Sequence, residues 1–441
     1  METLSQHSSL QAWIDGLLGM HQQEIDLGLE RVSDVAQRLD VTRPAEFVIS
    51  VAGTNGKGSS VAMLSAVLDA QGYRVGTYTS PHILRFNERI QINGQPVEDR
   101  EIVEAFAEIE ASRGQTKLTY FEFSTLAALL IFKRRKVDVA VLEVGLGGRL
   151  DAVNLVNADA ALITAIDVDH VDWLGDDRAQ IALEKAGITR AAKPAVCSDP
   201  HPPATLAAFA SAQRVPLWQL GADFRFEKTQ QAGLITFKHT LTQDWPAVFE
   251  FPQPALLGEF QWQNAAGVVA LLARIGKQLP ISLESLARGL TQVKHPGRLQ
   301  QFTVVTPSGR QQWLVDVAHN PQSAQALADY LASQDDSCQA YISLFSVLND
   351  KDSLPMVKQL APYIAKWMLA DLQIPRASSL ERLQQLMQQA EVSADQVGKC
   401  TSMEQAVTQV LAMPAKKVLV WGSFFTVSQV LEALHRQAQC V

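Results

Sequence analysis

The chain has 441 residues, which is too long for one ordinary hydrophobic core and predicts two or three domains. A composition of 47% hydrophobic and 19% charged residues is that of a folded globular protein and excludes a disordered chain. The formal net charge of -8 excludes the overall basic surface that DNA- or RNA-binding proteins carry. We therefore expect no nucleic-acid partner, while a local positive site for an anionic substrate is compatible with this charge.

Cysteine spacing and hydropathy both predict a cytoplasmic protein without a membrane partner. The four cysteines form no CxxC pair, which argues against a zinc site or a disulfide scaffold and fits a reducing compartment. No apolar run approaches the ~20 residues that cross a bilayer. Residues 1–10 lack the basic and apolar regions of a signal peptide. The cysteines are Cys197, Cys338, Cys400 and Cys440.

In the first half of the chain, short apolar runs alternate with helical stretches, which predicts a parallel sheet covered by helices. The predicted strands are too apolar to have a solvent-facing side, as in central parallel strands. The basic run Lys133–Lys136 is more typical of a solvated helix end that complements the helix dipole than of a site for an acidic partner. The predicted strands are 47–51, 74–78, 137–143 and 158–166, and the helices are 59–70 and 120–135.

Further along, residues 224–251 form short alternating strands with glycine and proline breaks, which predicts a small antiparallel sheet. At Lys294–Arg298, proline and glycine interrupt the helical pattern. We therefore predict one domain over 1–295 and a second over 296–441. The flanking elements are helices at 262–275, 283–290 and 321–333 and strands at 313–317, 340–345 and 417–421.

The strongest chemical signal lies between the first strand and the first helix. Glycines there let backbone N–H groups close around phosphate oxygens, and the helix N-terminus adds positive potential. Lys57 would neutralise the β- and γ-phosphates, so the segment predicts an ATP site rather than an ordinary turn. Val51 stands where the common GxxxxGK[ST] motif has its first glycine, which disfavours the common P-loop kinases and GTPases. The predicted nucleotide-binding residues are Gly53, Thr54, Asn55, Gly56, Lys57, Gly58 and Ser59.

Ser80, Glu143 and His170 follow three other predicted strands and together form a candidate magnesium site. The carboxyl ends of parallel strands meet at one edge of a sheet, where ligands bind. Taken singly, each residue is explained equally well as a helix cap or a hydrogen-bonded core group. A histidine is also an unusual ligand for Mg²⁺, which prefers oxygen. The prediction therefore rests on the set of three beside the phosphate loop.

A second polar cluster occupies residues 316–321. Asn320 and Pro321 suit the N-cap and first position of a helix, so Asn320 is predicted to be structural. Asp316 and His319 are predicted to face the loop above the sheet edge, where a nucleotide or an amine would lie. Arg298 would reach a phosphate, with a surface ion pair as the alternative.

These motifs together resemble the bifunctional dihydrofolate synthase/folylpolyglutamate synthases of bacteria, which belong to the Mur ligase family. The resemblance covers essentially the whole chain. It implies an α/β fold with a P-loop-type parallel-sheet ATPase domain like the Mur ligase central domain, a small antiparallel patch, and a smaller Rossmann-like α/β C-terminal domain. The motifs, in the family's order, are GTNGKGS at 53–59, TSPH at 79–82, LEVGLGGRLDAVN at 142–154, DH at 169–170, EKAGI at 184–188, HPGR at 295–298 and DVAHNP at 316–321.

The resemblance implies an ATP-dependent carboxylate-amine ligase. A pteroate or folate carboxylate would take the γ-phosphoryl group of ATP, and the amine of L-glutamate would then displace phosphate from the acyl phosphate. Lys57 and Mg²⁺ would stabilise charge on the transferring group. The implied substrates are dihydropteroate, reduced folates and L-glutamate. The implied cofactors are ATP and Mg²⁺, with Mg²⁺ bound at two sites. The resemblance also implies a monomer.

The resemblance also implies roles that the residue pattern leaves open. Lys185 would be carbamylated by CO₂ and help to bind a second metal ion, with a plain ion-paired lysine as the alternative. Asn264, Arg298 and Asp316 match nucleotide contacts. His319 and Ser423 match positions linked to glutamate and the phosphorylated intermediate. The implied catalytic residues are Lys57, Lys185, Asp316 and His319, and the metal-binding residues are Ser80, Glu143, His170 and Lys185.

Three segments resemble the dihydropteroate pocket of the bifunctional enzymes. Phe121 can stack on a pterin ring while Asp151 accepts hydrogen bonds from its N–H groups. A core aromatic and an N-cap aspartate are the alternatives for these two residues. The implied substrate-binding residues are Asp26, Leu27, Gly28, Leu29, Thr119, Tyr120, Phe121, Glu122, Leu150, Asp151, Ala152 and Ser423.

Other functions are weighed against this one. A folylpolyglutamate synthase without the first activity is a close variant, but the segments 26–31 and 119–122 favour the bifunctional form. A small-molecule kinase would stop at phosphoryl transfer, and the separate C-terminal domain with its 316–321 motif argues against it. A non-catalytic nucleotide-binding protein would be expected to lack Lys57, Glu143 or His170. A cell-wall Mur ligase is disfavoured because no N-terminal domain for a UDP-sugar is recognisable.

Overall fold

The computed structural model describes residues 4–20, 26–229, 233–240, 245–334, 340–414 and 416–437. They fall into two compact units. The first unit comprises residues up to 255 together with 261–294, and the second comprises 256–260 and the chain from 295 onward. Cys197 and Cys400 are buried and form no disulfide. Cys338 and Cys440 lie outside the described residues.

The first unit is built on an eight-stranded sheet. Its central strands are buried along almost their whole length, because helices cover both faces of a parallel sheet. The strands are β1 (Phe47–Ala52), β2 (Val75–Tyr78), β3 (Ile90–Ile92), β4 (Gln95–Pro96), β5 (Val139–Glu143), β6 (Ala160–Ile163), β7 (Ala195–Cys197) and β8 (Leu217–Gln219).

Their order in the sheet is β4-β3-β2-β5-β1-β6-β7-β8. All neighbours are parallel except the β2–β3 and β3–β4 pairs. β1 therefore lies between β5 and β6, and Val51 on β1 is paired with Glu143 on β5. This register brings the carboxyl ends of the central strands to one edge, the usual ligand-binding edge of such a sheet.

Helices connect these strands, and a small antiparallel sheet follows them. The three strands of that sheet have the order β11-β10-β9, as predicted for residues 224–251. They are β9 (Phe224–Lys228), β10 (Leu234–His239) and β11 (Val248–Pro252). The helices are α1 (Leu10–Met20), α2 (Glu30–Arg38), α3 (Lys57–Gln71), α4 (Asp99–Arg113), α5 (Tyr120–Arg135), α6 (Val171–Leu174), α7 (Arg178–Ala186), α8 (Ala204–Ala212), α9 (Phe260–Ile275) and α10 (Leu283–Gln292), with 3₁₀ turns at Phe86–Arg89 and Ala152–Leu155.

The second unit contains a six-stranded sheet of order β12-β13-β17-β14-β15-β16, in which only the β12–β13 pair is antiparallel. Its strands are β12 (Gln300–Thr306), β13 (Gly309–Val315), β14 (Tyr341–Phe345), β15 (Ile364–Ala370), β16 (Val397–Cys400) and β17 (Lys417–Trp421). Its helices are α11 (Pro321–Ala332), α12 (Ser353–Leu360), α13 (Leu380–Gln389), α14 (Met403–Ala412) and α15 (Phe424–Gln437), with 3₁₀ turns at Ala361–Tyr363 and Ala394–Gln396.

The predicted fold class is confirmed, with small differences in boundaries. β6 is shorter at both ends than the predicted strand 158–166, and β13 ends two residues before Val317. The segment Leu256–Phe260 belongs to the second unit, whereas the predicted first domain included it. The reason is packing: Phe260 contacts the core of the second unit, and Gly258 lies against Leu299.

The basic end of α5 is engaged in surface ion pairs. Lys133 pairs with Asp40 and Arg135 pairs with Glu101, at 2.6 and 2.8 Å. Such pairs are consistent with a solvated helix end. Among the residues that the structure describes, no helix has the length and apolarity to cross a bilayer.

Candidate active site

The loop between β1 and α3 has the conformation that a phosphate-binding loop requires. Gly56 is the N-cap of α3 and is left-handed, with φ 89°. A Cβ atom on Gly56 would lie 2.4 Å from Oδ1 of Asn264, so only glycine fits between the loop and α9. The helix therefore begins at Lys57, two residues before the predicted start, and its first N–H groups face the loop.

The loop is anchored to the residues that follow β6. The backbone N–H of Thr54 donates to the carbonyl of Ala165 at 2.7 Å, and its hydroxyl donates to the carbonyl of Asp167 at 2.8 Å. The Thr164 hydroxyl donates to the carbonyl of Asn55 at 2.7 Å. These bonds fix the loop at the carboxyl edge of the sheet, between β1 and β6.

Lys57 lies across this loop and is electrostatically coupled to two other predicted site residues. Its Nζ donates to the carbonyls of Gly53 and Thr54, at 2.9 and 3.2 Å. Burial is the main cause of the raised pKa of Asp151 and of the lowered pKa of Lys185, and the positive charge of Lys57 acts to lower both values. Contacts bring the phosphate loop, the 145–153 loop and the end of α7 together: the Val144 N–H donates to the carbonyl of Val51 at 2.9 Å, and a Cβ atom on Gly148 would lie 3.0 Å from Cα of Lys185.

Two of the predicted magnesium ligands are in direct contact. The Ser80 backbone N–H donates to Oε2 of Glu143 at 3.3 Å, across the ends of the neighbouring strands β2 and β5. Glu143 is buried, and His170 lies after β6 with a left-handed backbone, φ 53°. Within the described ranges, no group of three or more His, Cys, Asp or Glu residues is arranged to hold a metal ion. The predicted set contains only two such residues, Glu143 and His170.

This donor set fits Mg²⁺ held mainly by other oxygens. Mg²⁺ keeps several waters and is commonly bound by one or two carboxylates together with substrate phosphates. Glu143 supplies a buried carboxylate and Ser80 a neighbouring hydroxyl, at the same sheet edge as the phosphate loop. A protein cage of carboxylates is therefore not required here.

Lys185 is a buried lysine near the C-terminus of α7, only 2% exposed. Burial and, to a lesser extent, the charge of Lys57 lower the pKa of its amine to about 7, although Asp169 and Glu184 oppose this shift. A neutral amine is the form that reacts with CO₂. The neighbouring Glu184 is paired with Arg149 at 2.8 Å, and its carbonyl accepts from the Arg149 N–H at 2.8 Å. These bonds pack the EKAGI and LEVGLGGRLDAVN motifs against each other.

The three segments of the predicted pterin pocket also lie together. Arg31 pairs with Asp26 at 3.0 Å and with Glu122 at 3.1 Å, and the Gly28 N–H donates to the carbonyl of Leu150 at 3.3 Å. Glu122 is buried, which raises the pKa of its carboxyl against the opposing effects of Thr119 and Arg31. Residues 26–31, 119–122 and 150 are thus connected, as the resemblance implied.

Within this pocket, several predicted binding residues also have structural roles. Thr119 and Glu122 form a reciprocal capping box at the start of α5, with bonds of 2.7 and 3.1 Å. Asp151 is an N-cap, which was one of the two alternatives: it accepts from the N–H groups of Leu146 and Val153 at 2.8 and 2.9 Å. Burial raises the pKa of Asp151 to about 6, although these bonds, that from Gly145 and the charge of Lys57 oppose the rise.

Phe121 is half-buried, with its ring 6.1 Å from that of Tyr78. A Cβ atom on Gly145 would lie 2.6 Å from Cζ of Phe121. Glycine at 145 therefore allows the ring to approach the loop that carries Asp151. Phe121 is packed against the core of the first unit but is only half-buried, which is compatible with the predicted stacking on a pterin ring.

In the second unit, the predicted residues gather at the carboxyl ends of the adjacent strands β13 and β17. Asp316 is buried and accepts from the N–H groups of Leu299 and Ala318, at 2.9 and 2.8 Å. Burial raises its pKa, and Arg298 and these N–H groups oppose the rise. The Gly422 N–H donates to the carbonyl of Ala318 at 3.0 Å and joins the two strand ends.

Phe424 lies between two of the predicted residues of this cluster. The Arg298 guanidinium is 5.2 Å from its ring centre, and the His319 ring is 6.0 Å away. His319 Nδ1 lies 2.9 Å from the carbonyl of Val317, which places a proton on Nδ1. Ser423 is buried, and its hydroxyl accepts from the Thr426 N–H at 3.0 Å, as an N-cap of α15 does.

Sequence reasoning missed three residues that organise these sites. Gln261 bridges Asn264 and the Ser59 hydroxyl, at 3.0 and 3.1 Å, and it is fully buried. Its signal is a cluster of polar side chains, Gln261, Gln263 and Asn264, at the start of a helix that is apolar over residues 265–273. Arg31 lies within the predicted segment 26–31 but was not predicted as a site residue, and Thr164 belongs to none of the motifs.

The predicted N-cap role of Asn320 is confirmed by a 2.9 Å bond from the Ser323 N–H.

Family models match most of the chain. The Mur ligase middle domain matches residues 51–272, and the Mur ligase glutamate ligase domain matches residues 297–424. The chain belongs to the Mur ligase family. Membership confirms the resemblance drawn from the motifs, and this Mur ligase family member is an ATP-dependent ligase.

Relatives and solved structures place it more narrowly, with the dihydrofolate synthase/folylpolyglutamate synthases. The enzyme of that name from Escherichia coli K12 is 39% identical over 427 residues, covering 97% of this chain and 96% of its own. The structure of E. coli FolC in complex with DHPP and ADP superposes with a TM-score of 0.88, at 38% identity and 99–100% coverage of the two chains. A bifunctional folylpolyglutamate synthase/dihydrofolate synthase with Mn, AMPPNP and L-glutamate bound gives a TM-score of 0.85 at 39% identity, with 98% of this chain and 100% of that one covered.

Proposed function

We propose that this Mur ligase adds L-glutamate to 7,8-dihydropteroate, and further glutamates to reduced folates, through an acyl phosphate. The observation that carries the proposal is that the phosphate loop follows β1 while Glu143 and the loop bearing Asp151 follow the neighbouring strand β5, with Val51 paired to Glu143 and the Val144 N–H bonded to the carbonyl of Val51 at 2.9 Å. The phosphoryl donor and the carboxylate acceptor would therefore bind close to each other. The ADP, DHPP and glutamate in the complexes of the related enzymes support the same reaction.

In this reaction, a carboxylate oxygen of the acceptor bonds to the γ-phosphorus of ATP, and the bond to the β–γ bridging oxygen breaks to release ADP. The amine nitrogen of glutamate then bonds to the acyl carbon, and inorganic phosphate leaves. Lys57, at the start of α3, is placed to neutralise charge on the transferring group. His319 is proposed to take a proton from the amine, because a neutral imidazole whose Nδ1 donates to the carbonyl of Val317 has its basic nitrogen at Nε2.

In the first unit, residues 53–59 and Asn264 would hold the nucleotide. Arg298 and Asp316 are the nucleotide contacts that the motif resemblance implies for the second unit. His319 and Ser423 are proposed to serve glutamate and the phosphorylated intermediate. The side chains of Asp316 and Ser423 accept hydrogen bonds from backbone N–H groups. These two residues would therefore hold their loops in place as well as contact a ligand.

Ser80, Glu143 and His170 would hold the divalent metal ion, which supplies Lewis-acid stabilisation of the phosphoryl group. We also propose that Lys185 is carbamylated and contributes to a second metal site. Its burial and the lowered pKa of its amine support this modification, because a buried ammonium is unfavourable and a neutral amine reacts with CO₂.

The acceptor pocket would comprise residues 26–29, 119–122 and 150–152. The bonds that join these segments support one pocket rather than three unrelated surface features. Phe121 offers a half-buried ring for the pterin. A carboxylate accepts about four hydrogen bonds, and the N–H groups of Leu146 and Val153 supply two of those of Asp151, which lies beside Phe121.

The test is phosphate release by the purified protein with MgATP, L-glutamate and either 7,8-dihydropteroate or tetrahydrofolate, with product masses recorded. We expect turnover with both acceptors, each product gaining one or more glutamyl units. Lys57→Ala should lower turnover by about 10²–10³-fold, the loss typical of one preorganised charge-stabilising donor. Lys133→Ala, on the surface, is the matched control.

Turnover with tetrahydrofolate alone would make the protein a folylpolyglutamate synthase, and ADP formation without glutamate would make it a kinase. We further propose a monomer in the cytoplasm, which the motif resemblance and the cysteine spacing support. The mass of the purified protein in solution, by light scattering, tests the monomer.

A further inference from the structure

Arg89 is a buried arginine between the predicted metal site and the predicted acceptor pocket. It ends the 3₁₀ turn Phe86–Arg89 and is only 7% exposed. Its carbonyl accepts from the Thr79 N–H at 2.9 Å, which places Arg89 beside Ser80. Its guanidinium is 5.3 Å from the ring centre of Tyr120, in the 119–122 segment.

The contacts of Arg89 are unusual for a buried cation. Its Nε donates to Nδ1 of His82 at 2.8 Å, and a ring nitrogen that accepts a hydrogen bond carries no proton. Its other contacts are the faces of Phe86 and Tyr120. No carboxylate among the described residues pairs with Arg89. Buried charges in proteins are normally paired, and aromatic faces offset burial less than an anion in contact does.

The carboxylate of the neighbouring Glu88 is hydrogen-bonded to backbone groups and not to Arg89. Both carboxylate oxygens of Glu88 accept from the backbone N–H groups of residues 83–85, at 2.7–2.8 Å. Within the described part of the chain, the side-chain hydrogen bond of Arg89 is the one from Nε to His82, and the residue keeps 7% exposure, so its terminal guanidinium nitrogens are left as donors for another partner. Two parallel N–H donors of this kind match the two oxygens of a carboxylate.

We propose that Arg89 binds a carboxylate of the acceptor substrate. The inference rests on the proposed function, because the acceptor must carry its carboxylate from the pocket at 119–122 toward Ser80 and the phosphate loop. The aromatic contacts and His82 hold the guanidinium plane in place before the ligand arrives. Arg89 is thus a binding residue that the motifs do not contain.

Two carboxylates of the acceptor substrates match the paired N–H donors of Arg89. One is the carboxylate that becomes phosphorylated, which both dihydropteroate and tetrahydrofolate carry. The other is the α-carboxylate of a glutamyl residue already attached, which only tetrahydrofolate carries. Comparing the two acceptors distinguishes these sources.

The experiment measures kcat and KM for dihydropteroate, tetrahydrofolate and ATP with Arg89→Gln and Arg89→Lys. Arg113→Gln, which removes an arginine paired with Glu110 on α4, is the matched control. We expect Arg89→Gln to raise the acceptor KM at least tenfold, Arg89→Lys to recover part of that loss, and the KM for ATP to stay within twofold. If Arg89→Gln does not fold, Arg89→Lys alone should still raise the acceptor KM, because lysine keeps the charge but not the paired donors.

A rise with both acceptors assigns Arg89 to the reacting carboxylate, and a rise with tetrahydrofolate alone assigns it to the α-carboxylate. Acceptor KM values within twofold of the wild-type values overturn the proposal. A lower melting temperature or kcat with unchanged acceptor KM also overturns it, since that is the result of a structural role. Wild-type turnover is measured first, so a failure of the proposed reaction is distinguished from a failure of Arg89.

Discussion

Asp151 shows how one residue can be both a fold determinant and a candidate ligand. Its two oxygens cap the 3₁₀ turn at 152–155 and hold the loop before it. The same burial that raises the pKa of Asp151 to about 6 places it beside Phe121 and under the influence of Lys57. The sequence alternatives, an N-cap or a pterin acceptor, are therefore not exclusive at this position.

The ionisation of Asp151 predicts how acceptor binding depends on pH. Because the folded pKa is raised to about 6, the carboxylate is ionised above that pH and protonated below it. A protonated carboxyl loses accepting positions, so kcat/KM for dihydropteroate should fall as pH drops below 6, approaching about tenfold per pH unit. Initial rates between pH 5 and 8 test this.

Asp151→Asn should have a lower kcat/KM at pH 7.5 and a flatter pH profile between 5 and 7. An Asn variant that shows the same fall as the wild type would assign the dependence to another group. The KM for ATP, measured over the same range, serves as the control for general acid effects.

Among the elements, α11 illustrates a motif residue whose role is structural. Asn320 accepts from the Ser323 N–H, and the Ser323 hydroxyl lies 2.9 Å from Oδ1 of Asn320. Pro321 follows at the first helical position. The end of β13 and the start of α11 are therefore fixed by capping, which leaves His319 held at a defined place between them.

We predict that Asn320→Ala lowers the free energy of unfolding by about 1 kcal/mol, the usual cost of losing an N-cap. Urea unfolding monitored by circular dichroism measures it. Gln325→Ala, at an exposed position of the same helix, should change stability by less than about 0.5 kcal/mol. Equal losses in the two variants would contradict a capping role for Asn320.

At the scale of the whole molecule, each unit carries a different part of the proposed chemistry. The first sheet gathers the phosphate loop, Glu143 and the acceptor segments at its carboxyl edge, and the second gathers Asp316 and Ser423 at the ends of β13 and β17. Both arrangements follow from parallel strands that end on the same side. The fold places the carboxyl ends of the strands at one edge of each sheet, and the proposed reaction depends on the residues at those ends.

The stability of the fold should depend on pH through Lys185. Its folded pKa, about 7, is below its ordinary value of 10.5, so between these values the unfolded chain binds more protons than the folded one. Stability should therefore rise with pH from 7 toward 10.5, by about 1.4 kcal/mol per unit at most for this group, and the penalty is fully present below pH 7. Unfolding in urea at pH 6–9, in CO₂-free buffer, measures this rise.

Lys185→Met should remove this pH dependence, and Lys193→Met, a more exposed lysine paired with Asp159, should retain it. Bicarbonate should raise the stability of the wild type but not of Lys185→Met, because a carbamate that forms only on the folded protein stabilises it. A wild-type curve that is unaffected by bicarbonate would argue against carbamylation.

The sequence by itself determined the elements and the family. Apolar runs bounded by glycine and proline located the central strands, and the helix over 120–135 has the predicted limits. The motifs at 53–59, 142–154, 184–188 and 316–321 were sufficient for the family assignment that the relatives confirm. These are local properties, because buried strands and glycine-rich loops are recognised from the pattern of consecutive residues.

The tertiary structure decided which of these residues meet. Gln261 reaches Ser59 from a helix some 200 positions away along the chain, and Arg31 joins Asp26 to Glu122. The assignment of residues 256–260 to the second unit and the burial of Arg89 against Phe86 and Tyr120 depend on packing in the same way. No local pattern encodes such contacts, because they arise from strand order and from the side chains that each strand end places beside its neighbours.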